Sequence, residues 1–416
     1  MSARKQKAVI VGGGAAGMFC AVCLARGGVE CTLLEKNDKV GKKLMITGKG
    51  RCNVTNNCDT DTVMKNIPRN GRFMYSALSG FAPADTMSFF EGLGVGLKTE
   101  RGGRVFPVSD SAMTVVKALE KEMKRLGVRV CREEVKSITF LNGAAVSAVT
   151  DKDTHFADHI IVATGGRSYP ATGSTGDGYR FAKEAGHTVT EITPALVPLI
   201  TSGKEAAEMM GLSLKNVTLS LVDKKTGKTL YRELGEMLFA HFGISGPLTL
   251  SASSHMDKFE KGRYAADIDL KPALSHEQLD LRILRDFSQE KNRDFANSLG
   301  RLLPASMIPV IVRRSGIPPE TKVNSVTKEQ RRRLVDTLKR FRLDIDSFRP
   351  VDEAIITRGG VSVREIDPKS MRSKLVDGLY FIGEVLDVDA YTGGFNLQIA
   401  FSTAHACAES IINNDK

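Results

Sequence analysis

Glycines near the start of the chain, followed by an acid, are spaced for binding a dinucleotide. Gly12, Gly14 and Gly17 fit the pattern G-x-G-x-x-G, and Glu35 ends the next apolar run. The first glycine allows a tight turn, the second lets backbone amides approach a pyrophosphate, and the third lets a helix pack closely on a strand. The carboxylate can accept hydrogen bonds from ribose hydroxyls. This order of residues predicts a dinucleotide site.

A second block combines glycines, cations and an asparagine between residues 41 and 53. Gly48 and Gly50 permit a ligand to approach the backbone closely. Lys43 and Arg51 can neutralise phosphate charge or polarise a ring carbonyl. The alternative interpretation is a solvated basic loop.

A third block follows an apolar run late in the chain. Gly383 and Glu384 end that run, and residues 391–398 open the last helical pattern. The acid can accept hydrogen bonds from ribityl hydroxyls. Amides at the start of the helix can stabilise negative charge on the N1–C2=O edge of a reduced flavin. The alternative is an acid at a turn before an ordinary helix.

Two shorter glycine-rich segments complete the candidate site. Thr164, Gly165 and Gly166 follow a buried-strand pattern and are expected close to the adenylate half of a cofactor. Residues 172–178 precede a helical pattern.

Strand-like and helix-like segments alternate up to about residue 190, which is typical of a doubly wound α/β sheet. The predicted fold is an FAD-binding Rossmann-type domain with an inserted, mainly antiparallel β domain and a small helical domain. The predicted boundaries are 1–191 for the first part of the FAD domain, 192–271 for the inserted β-rich substrate domain, 272–343 for the helical insertion, 344–366 for the return of the substrate domain, and 367–416 for the C-terminal part of the FAD domain.

Composition limits the class of protein. The chain has 416 residues, 42% of them hydrophobic, and a formal net charge of +11. No apolar stretch suggests a transmembrane helix, and the first strand pattern leaves no room for a secretory signal, so we expect a cytoplasmic protein. Cys20 and Cys23 form C-x-x-C, but both are predicted to be buried in the first helix, and no metal site is expected.

Together these motifs resemble the two-domain FAD flavoproteins of the glutathione-reductase-like superfamily. More narrowly, the chain is similar to the bacterial NAD(P)/FAD-dependent oxidoreductase family, on residues 51–56, 241–247 and 391–396. Short elements, residues 175–178 and 358–360, are shared with fumarate-reductase-type flavoproteins. The resemblance implies a noncovalent FAD and a flavin that transfers hydride from N5.

The resemblance and the motifs together give a set of predicted FAD-binding residues. They are Gly12, Gly14, Ala15, Ala16, Glu35, Lys36, Lys43, Thr47, Gly48, Arg51, Cys52, Asn53, Val135, Thr164, Gly165, Gly166, Gly383, Glu384, Gly394, Asn396 and Leu397. No second G-x-G-x-x-G followed by an acid is visible in the sequence. A nicotinamide donor, NAD(P)H, would therefore have to reach the flavin through the substrate cleft.

The known activities of the family leave the reaction open. Its members include reductases of an enone C=C in bile-acid intermediates and oxidases of aminoacetone that use oxygen. We predict enone reduction of a small hydrophobic, bile-acid or steroid-like substrate, with amine oxidation as the alternative. Reduction needs a proton donor, for which His241, Tyr391 and Arg358 are the candidates.

A different class of function is an RNA- or anion-binding protein that contains flavin. The arginine-rich stretch at residues 331–333 motivates this alternative. A solvated helix face explains the same residues, and aromatic stacking platforms are missing nearby. We therefore expect a small-molecule substrate and no membrane or nucleic-acid partner, while the sequence leaves the oligomeric state open.

Overall fold

The computed structural model describes residues 5–256 and 259–413, so the outermost residues of the first and last predicted segments lie outside it. The strands, in chain order, are β1 (Lys7–Val11), β2 (Glu30–Glu35), β3 (Thr55–Asn56), β4 (Leu97–Glu100), β5 (Arg104–Pro107), β6 (Arg129–Arg132), β7 (Val135–Leu141), β8 (Ala144–Thr150), β9 (Thr154–Phe156), β10 (His159–Val162), β11 (Thr193–Ala195), β12 (Leu199–Thr201), β13 (Ser213–Asp223), β14 (Thr229–Ala240), β15 (Gly243–Ser245), β16 (Tyr264–Asp269), β17 (Phe341–Phe348), β18 (Ile356–Arg358) and β19 (Leu379–Phe381).

The α-helices in the same stretches of chain are α1 (Ala15–Arg26), α2 (Lys42–Ile46), α3 (Thr60–Lys65), α4 (Tyr75–Gly80), α5 (Pro83–Gly92), α6 (Ala112–Arg125), α7 (Asp177–Glu184), α8 (Glu205–Glu208), α9 (Pro247–Ser253), α10 (His276–Gln289), α11 (Phe295–Ser298), α12 (Ile308–Ser315), α13 (Lys328–Lys339) and α14 (Phe395–Asn413). Throughout residues 5–256 and 259–413, no helix has both the length and the apolar character needed to cross a membrane.

The chain divides into two compact units, and the first comprises residues 1–195 and 351–416. Its main sheet has five parallel strands in the order β19-β10-β1-β2-β6. The central strand β1 is apolar on both faces, as expected for a strand covered on both sides. Because the strands are parallel, their carboxyl ends meet at one edge of the sheet. The predicted Rossmann-type domain is thus confirmed.

Both ends of the described chain contribute to the core of this unit. Phe19 of α1 and Phe401 of α14 are fully buried, and their ring centroids lie 5.1 Å apart. Smaller sheets, β3-β5-β4, β7-β8-β9 and β11-β18, complete the unit. The core therefore depends on segments that are almost 400 residues apart in the sequence.

The second unit, residues 196–350, contains a closed antiparallel barrel in the order β12-β15-β14-β13-β16-β17. The predicted mainly antiparallel insertion is therefore present. The predicted helical insertion does not form a core of its own. Leu334 of α13 and Ile283 of α10 belong to the same buried cluster as Phe239 and Phe341 of the barrel strands. In addition, the Leu270 amide, just after β16, donates to the Leu338 carbonyl of α13 at 2.9 Å.

The unit boundaries differ from the predicted ones in the return segment, 344–366. Residues 344–348 complete β17, whereas residues from 351 onward belong to the first unit. The reason is strand pairing, since β18 pairs antiparallel with β11, with Arg358 opposite Thr193. The first boundary lies after Ala195 rather than after residue 191.

The shared core of barrel and helices leads to a stability prediction. Replacing Leu334 by alanine is expected to destabilise the second unit by about 2–5 kcal/mol, because it leaves a cavity under a fully buried side chain. The exposed Leu281→Ala on α10 serves as the control, with an expected change within about 0.5 kcal/mol. Urea unfolding followed by far-UV circular dichroism should show barrel and helices melting together. An unchanged barrel transition beside a separately melting helical part would contradict the shared core.

Candidate functional site

The glycine-rich turn after β1 lies where its predicted role requires. Gly12 has φ +109°, and a Cβ there would lie 2.6 Å from the Ala163 carbonyl oxygen at the end of β10. A Cβ on Gly17 would collide with the Gly12 carbonyl oxygen. A Cβ on Gly14, by contrast, would meet no protein atom within 4 Å. The turn is therefore tightly packed on the protein side and open at Gly14, which precedes α1.

The acid at the end of β2 holds this turn in place. Glu35 is buried, and its Oε2 accepts a hydrogen bond from the Gly13 amide at 2.8 Å. Its Oε1 accepts from the Asn37 amide at 2.8 Å and from the Asn37 side chain at 2.6 Å. The neighbouring Lys36 is ion-paired with Asp177, at the start of α7, at 2.6 Å. Lys36, one of the predicted FAD-binding residues, thus has its ammonium group ion-paired within the protein.

A charged network occupies the same carboxyl edge of the sheet, where β19 ends. Glu384 Oε2 accepts from Lys43 Nζ at 2.7 Å, and its Oε1 accepts from the Thr357 amide at 3.0 Å. Ser168 Oγ lies 2.7 Å from the same ammonium and 3.3 Å from Glu384 Oε1. Two predicted residues from opposite ends of the sequence are therefore in direct contact. Ser168 and Thr357 were not predicted as site residues, because single short hydroxyl side chains carry no spacing signal.

The loop after α2 has an unusual backbone. Gly48, Lys49, Gly50 and Cys52 all have positive φ, between 56° and 83°. Thr47 caps the preceding turn, with its hydroxyl donating to the Leu44 carbonyl at 2.7 Å. Two amides of this loop are used within it, since the Arg51 amide donates to the Gly48 carbonyl at 3.3 Å and the Cys52 amide to the Thr47 carbonyl at 3.0 Å.

The side chains of that loop differ in whether they have hydrogen-bond or ion-pair partners among the described residues. The Asn53 Oδ1 atom is buried and has no hydrogen-bond partner within residues 5–256 and 259–413. Arg51 instead pairs with Asp110 at 2.7 Å and with Glu100. Cys52 is fully buried, and burial raises the pKa of its thiol to about 12. The thiol is therefore protonated and unreactive at neutral pH.

The end of β10 supplies another unsatisfied polar group. Thr164 Oγ1 is buried without a hydrogen-bond partner in the described parts of the chain. Gly165 has φ +71°, and a Cβ on Gly166 would lie 2.5 Å from Thr357 Oγ1. These glycines keep the chain close to the network around Glu384.

The N-terminus of α14 is shaped by glycines and an asparagine. A Cβ on Gly394 would collide with the backbone of Thr55. Asn396 clamps the preceding loop, because its side chain accepts from the Ala390 amide at 2.9 Å and donates to the Ala390 carbonyl at 2.7 Å. Neither α1 nor α14 has an acidic residue in its first turn. Both N-termini are therefore electrostatically suited to an anionic ligand.

The remaining predicted binding residues lie in the same unit. Ala15 and Ala16 open α1, Gly383 follows β19 with a Cβ position 2.9 Å from the Ala16 Cβ, and Leu397 lies in the first turn of α14. Val135 is buried at the start of β7.

The three candidate proton donors are divided between the units. Arg358 is buried on β18, and Tyr391 is half-buried with its amide donating to the Asn66 carbonyl at 3.0 Å. Both belong to the first unit. His241 is exposed in the turn between β14 and β15 of the barrel unit, beside Phe242.

The residues present fit FAD. The open Gly14 turn suits a pyrophosphate, and the partnerless buried atoms of Asn53 and Thr164 are polar groups that a ligand can satisfy. Fold and site together define a Rossmann-type oxidoreductase of the FAD-dependent class.

The chain belongs to the HI0933-like family, whose Rossmann-domain profile matches residues 6–410. It is 30% identical over 401 residues to a protein of Clostridium scindens named 3-dehydro-bile acid delta(4,6)-reductase, covering 95% of this chain and 96% of the relative. It is 33% identical over 409 residues to a protein of Haemophilus influenzae named ribosomal RNA dihydrouridine synthase, covering 97% and 98%.

Among solved structures, the fold is similar to that of 3-ketosteroid delta1-dehydrogenase from Sterolibacterium denitrificans. The TM-score is 0.51 at 12% identity, over 99% of this chain and all of the other. The predicted family membership is confirmed by these comparisons.

Proposed function

We propose that this chain uses bound FAD to reduce a C=C bond conjugated to a carbonyl, and that the substrate is a uracil base in RNA. The names of the two relatives point to one chemistry. A bile-acid enone and the C5=C6 bond of uracil, which is conjugated to the C4 carbonyl, both accept a hydride on one carbon and a proton on its neighbour. The main support for an RNA substrate is the similarity, along nearly the whole chain, to a ribosomal RNA dihydrouridine synthase.

The first unit would hold the cofactor. Backbone amides at Gly14 would meet the pyrophosphate. The partnerless Asn53 Oδ1 would accept a hydrogen bond, and Thr164 Oγ1 would donate or accept one. Glu384, already fixed by Lys43, would accept from ribityl hydroxyls. Bound FAD supplies the hydride at N5. Arg358, a buried cation on the strand whose Thr357 amide donates to Glu384, would stabilise negative charge that develops on the substrate carbonyl.

Charge favours RNA over a small hydrophobic substrate. Residues 196–350 contain 26 lysines and arginines against 19 acids, so this unit carries most of the net excess of the chain. A basic surface of this kind attracts phosphate backbones. This proposal departs from the expectation of a small-molecule partner that composition and missing aromatic platforms suggested.

The structure changes which arginines are the best candidates for RNA contact. Arg331 is largely buried against Asp280, and Arg340 and Arg342 share Asp267. Arg331 is thus neutralised within its own unit, whereas Arg340 and Arg342 together keep one positive charge over their shared carboxylate. Arg332 and Arg333 are exposed on α13.

Replacing Arg332 and Arg333 by alanine together is therefore expected to weaken RNA binding. The plot of log K against log salt should become shallower by about one for each phosphate that the protein no longer neutralises. The matched control is Arg313→Ala with Arg340→Ala, which removes the same charge from arginines already paired with Glu208 and Asp267. Fluorescence anisotropy with a labelled rRNA fragment measures the slopes. Equal weakening in both double variants would contradict a specific role for α13.

The activity test compares substrates directly. Purified holoenzyme, NADH or NADPH, and an unmodified ribosomal RNA transcript are expected to yield dihydrouridine, detected by mass spectrometry after nuclease digestion. A 3-oxo-Δ4,6 bile acid tests the second candidate, which the Clostridium scindens relative supports. Aminoacetone with oxygen tests the oxidase alternative. Turnover of the bile acid without any dihydrouridine would overturn the RNA proposal.

A further inference from the structure

Asp389, in the loop between β19 and α14, is a buried carboxyl group without a hydrogen bond. Its exposed fraction is 2%, and neither carboxylate oxygen has a hydrogen-bond partner within residues 5–256 and 259–413. A buried carboxylate with no such partner is strongly disfavoured relative to the neutral acid. Burial therefore favours the protonated form of Asp389, and no hydrogen bond from the described residues stabilises its ionised form.

The backbone around Asp389 is held firmly, so its position is set by the fold. The next residue, Ala390, is clamped at both its amide and its carbonyl by the side chain of Asn396. The backbone of Asp389 itself forms an isolated antiparallel β-bridge with the backbone of Arg69. Two residues earlier, the Asp387 amide donates to the Val361 carbonyl at 3.0 Å.

The charges that act on Asp389 come from three segments. Arg358 on β18 and Arg69 favour its ionised form, while Asp387 and Glu384, on its own segment, oppose it. Arg69 is shared, because its Nε lies 3.6 Å from Asp387 Oδ1. Burial outweighs the arginines and raises the pKa of Asp389 to about 6. The carboxyl group is thus poised to change charge near neutral pH.

We propose that Asp389 takes up one proton from water each time the bound flavin is reduced and returns it to water when the flavin is reoxidised. When a donor delivers a hydride, two electrons and one proton enter the site, which gains one negative charge. Asp389 lies in the sequence between two predicted FAD residues, Glu384 and Asn396, and is a buried group that can offset this charge, whereas the nearby Asp387 lies beside Arg69. The proton taken up at its carboxylate restores the net charge of the site.

In this role Asp389 balances the charge of the reduced site and does not donate a proton to the substrate. It rests on FAD being bound and does not depend on RNA being the substrate. A negative result in the RNA assay therefore leaves it intact, and a negative result here leaves the RNA proposal intact.

The test is the pH dependence of the flavin midpoint potential in the holoenzyme. A two-electron couple shifts by about 30 mV per pH unit for each proton taken up. The wild-type protein is expected to show about 60 mV per pH unit in an interval that starts near pH 6, where Asp389 is ionised only while the flavin is oxidised. Asp389→Asn should give about 30 mV per pH unit across the same interval.

Asp387→Asn is the matched control, since it removes another buried carboxylate from the same loop. It should keep the steep interval but start it at lower pH, because a like charge next to Asp389 has been removed. Should Asp389→Asn lose its flavin, infrared difference spectra of photoreduced wild-type protein provide the readout, as a protonated carboxyl stretch appears on reduction. A uniform slope in wild type, a steep interval surviving in Asp389→Asn, or no such stretch would overturn the proposal.

Discussion

Replacing Gly14 by alanine is expected to weaken FAD binding about 10- to 100-fold while the fold stays intact. A Cβ at this position meets no protein atom within 4 Å, and Gly14 has an ordinary φ of −80°. The added methyl group therefore meets no clash in the apoprotein, and the substitution costs it about 1 kcal/mol because glycine is preferred over alanine at a helix N-cap. In the holoenzyme it would occupy the space predicted for the pyrophosphate, and overpacking of one methyl costs about 1–3 kcal/mol.

Flavin fluorescence during reconstitution of the apoprotein measures this weakening, and urea unfolding of the apoprotein measures stability. Gly92→Ala, another glycine with open space around its Cβ position, is the control that should change neither quantity appreciably. Gly17→Ala should instead damage the fold, because its Cβ collides with the Gly12 carbonyl. Wild-type affinity in Gly14→Ala would show that the pyrophosphate does not approach this turn.

The second large effect is expected in the transfer of hydride from flavin to substrate. Arg358→Met should slow reoxidation of the reduced flavin by substrate about 100- to 1,000-fold, because a positioned cation at a developing negative charge contributes about that much. Arg358 is buried on β18, immediately after Thr357, whose amide donates to Glu384. Arg364→Met, at an exposed arginine of the same unit, is the control.

Stopped-flow absorbance of the flavin provides the rate, and Tyr391→Phe and His241→Ala complete the series. Near-normal rates of reoxidation in all three variants would remove the candidate proton donors and the role of Arg358 together. A rate that falls only in Tyr391→Phe would move the assignment to the phenol.

Much of the first unit could be predicted because its signals are local. An apolar run, a glycine turn and a helix pattern specify the β1–α1 unit, and Gly12 indeed has the positive φ that only glycine adopts easily. The closed barrel could not be predicted in the same way, since closure depends on pairing β12 with β17 across about 140 residues. Sequence patterning showed alternating strands there but not their partners.

In the candidate site, too, motifs predicted individual residues, whereas their partners are seen only in the folded chain. Lys43 and Glu384 were both predicted from motifs, but only folding shows that they form an ion pair at 2.7 Å. Lys36 and Arg51 were predicted to face the cofactor and are paired with Asp177 and Asp110. Asp389 could not be found from its sequence context, because the lack of a hydrogen-bond partner is a property of the folded chain.

The place of β19 and α14 in the main sheet and core has a consequence during synthesis. The ribosome finishes β1 and its glycine turn early, yet Glu384 and the N-terminus of α14 emerge only after the whole barrel has been translated. For most of its elongation, a nascent chain would thus contain the β1 part of the FAD site but neither Glu384 nor the N-terminus of α14. We expect premature stop codons between residue 350 and the start of β19 to yield colourless, protease-sensitive fragments even though every barrel strand has been made.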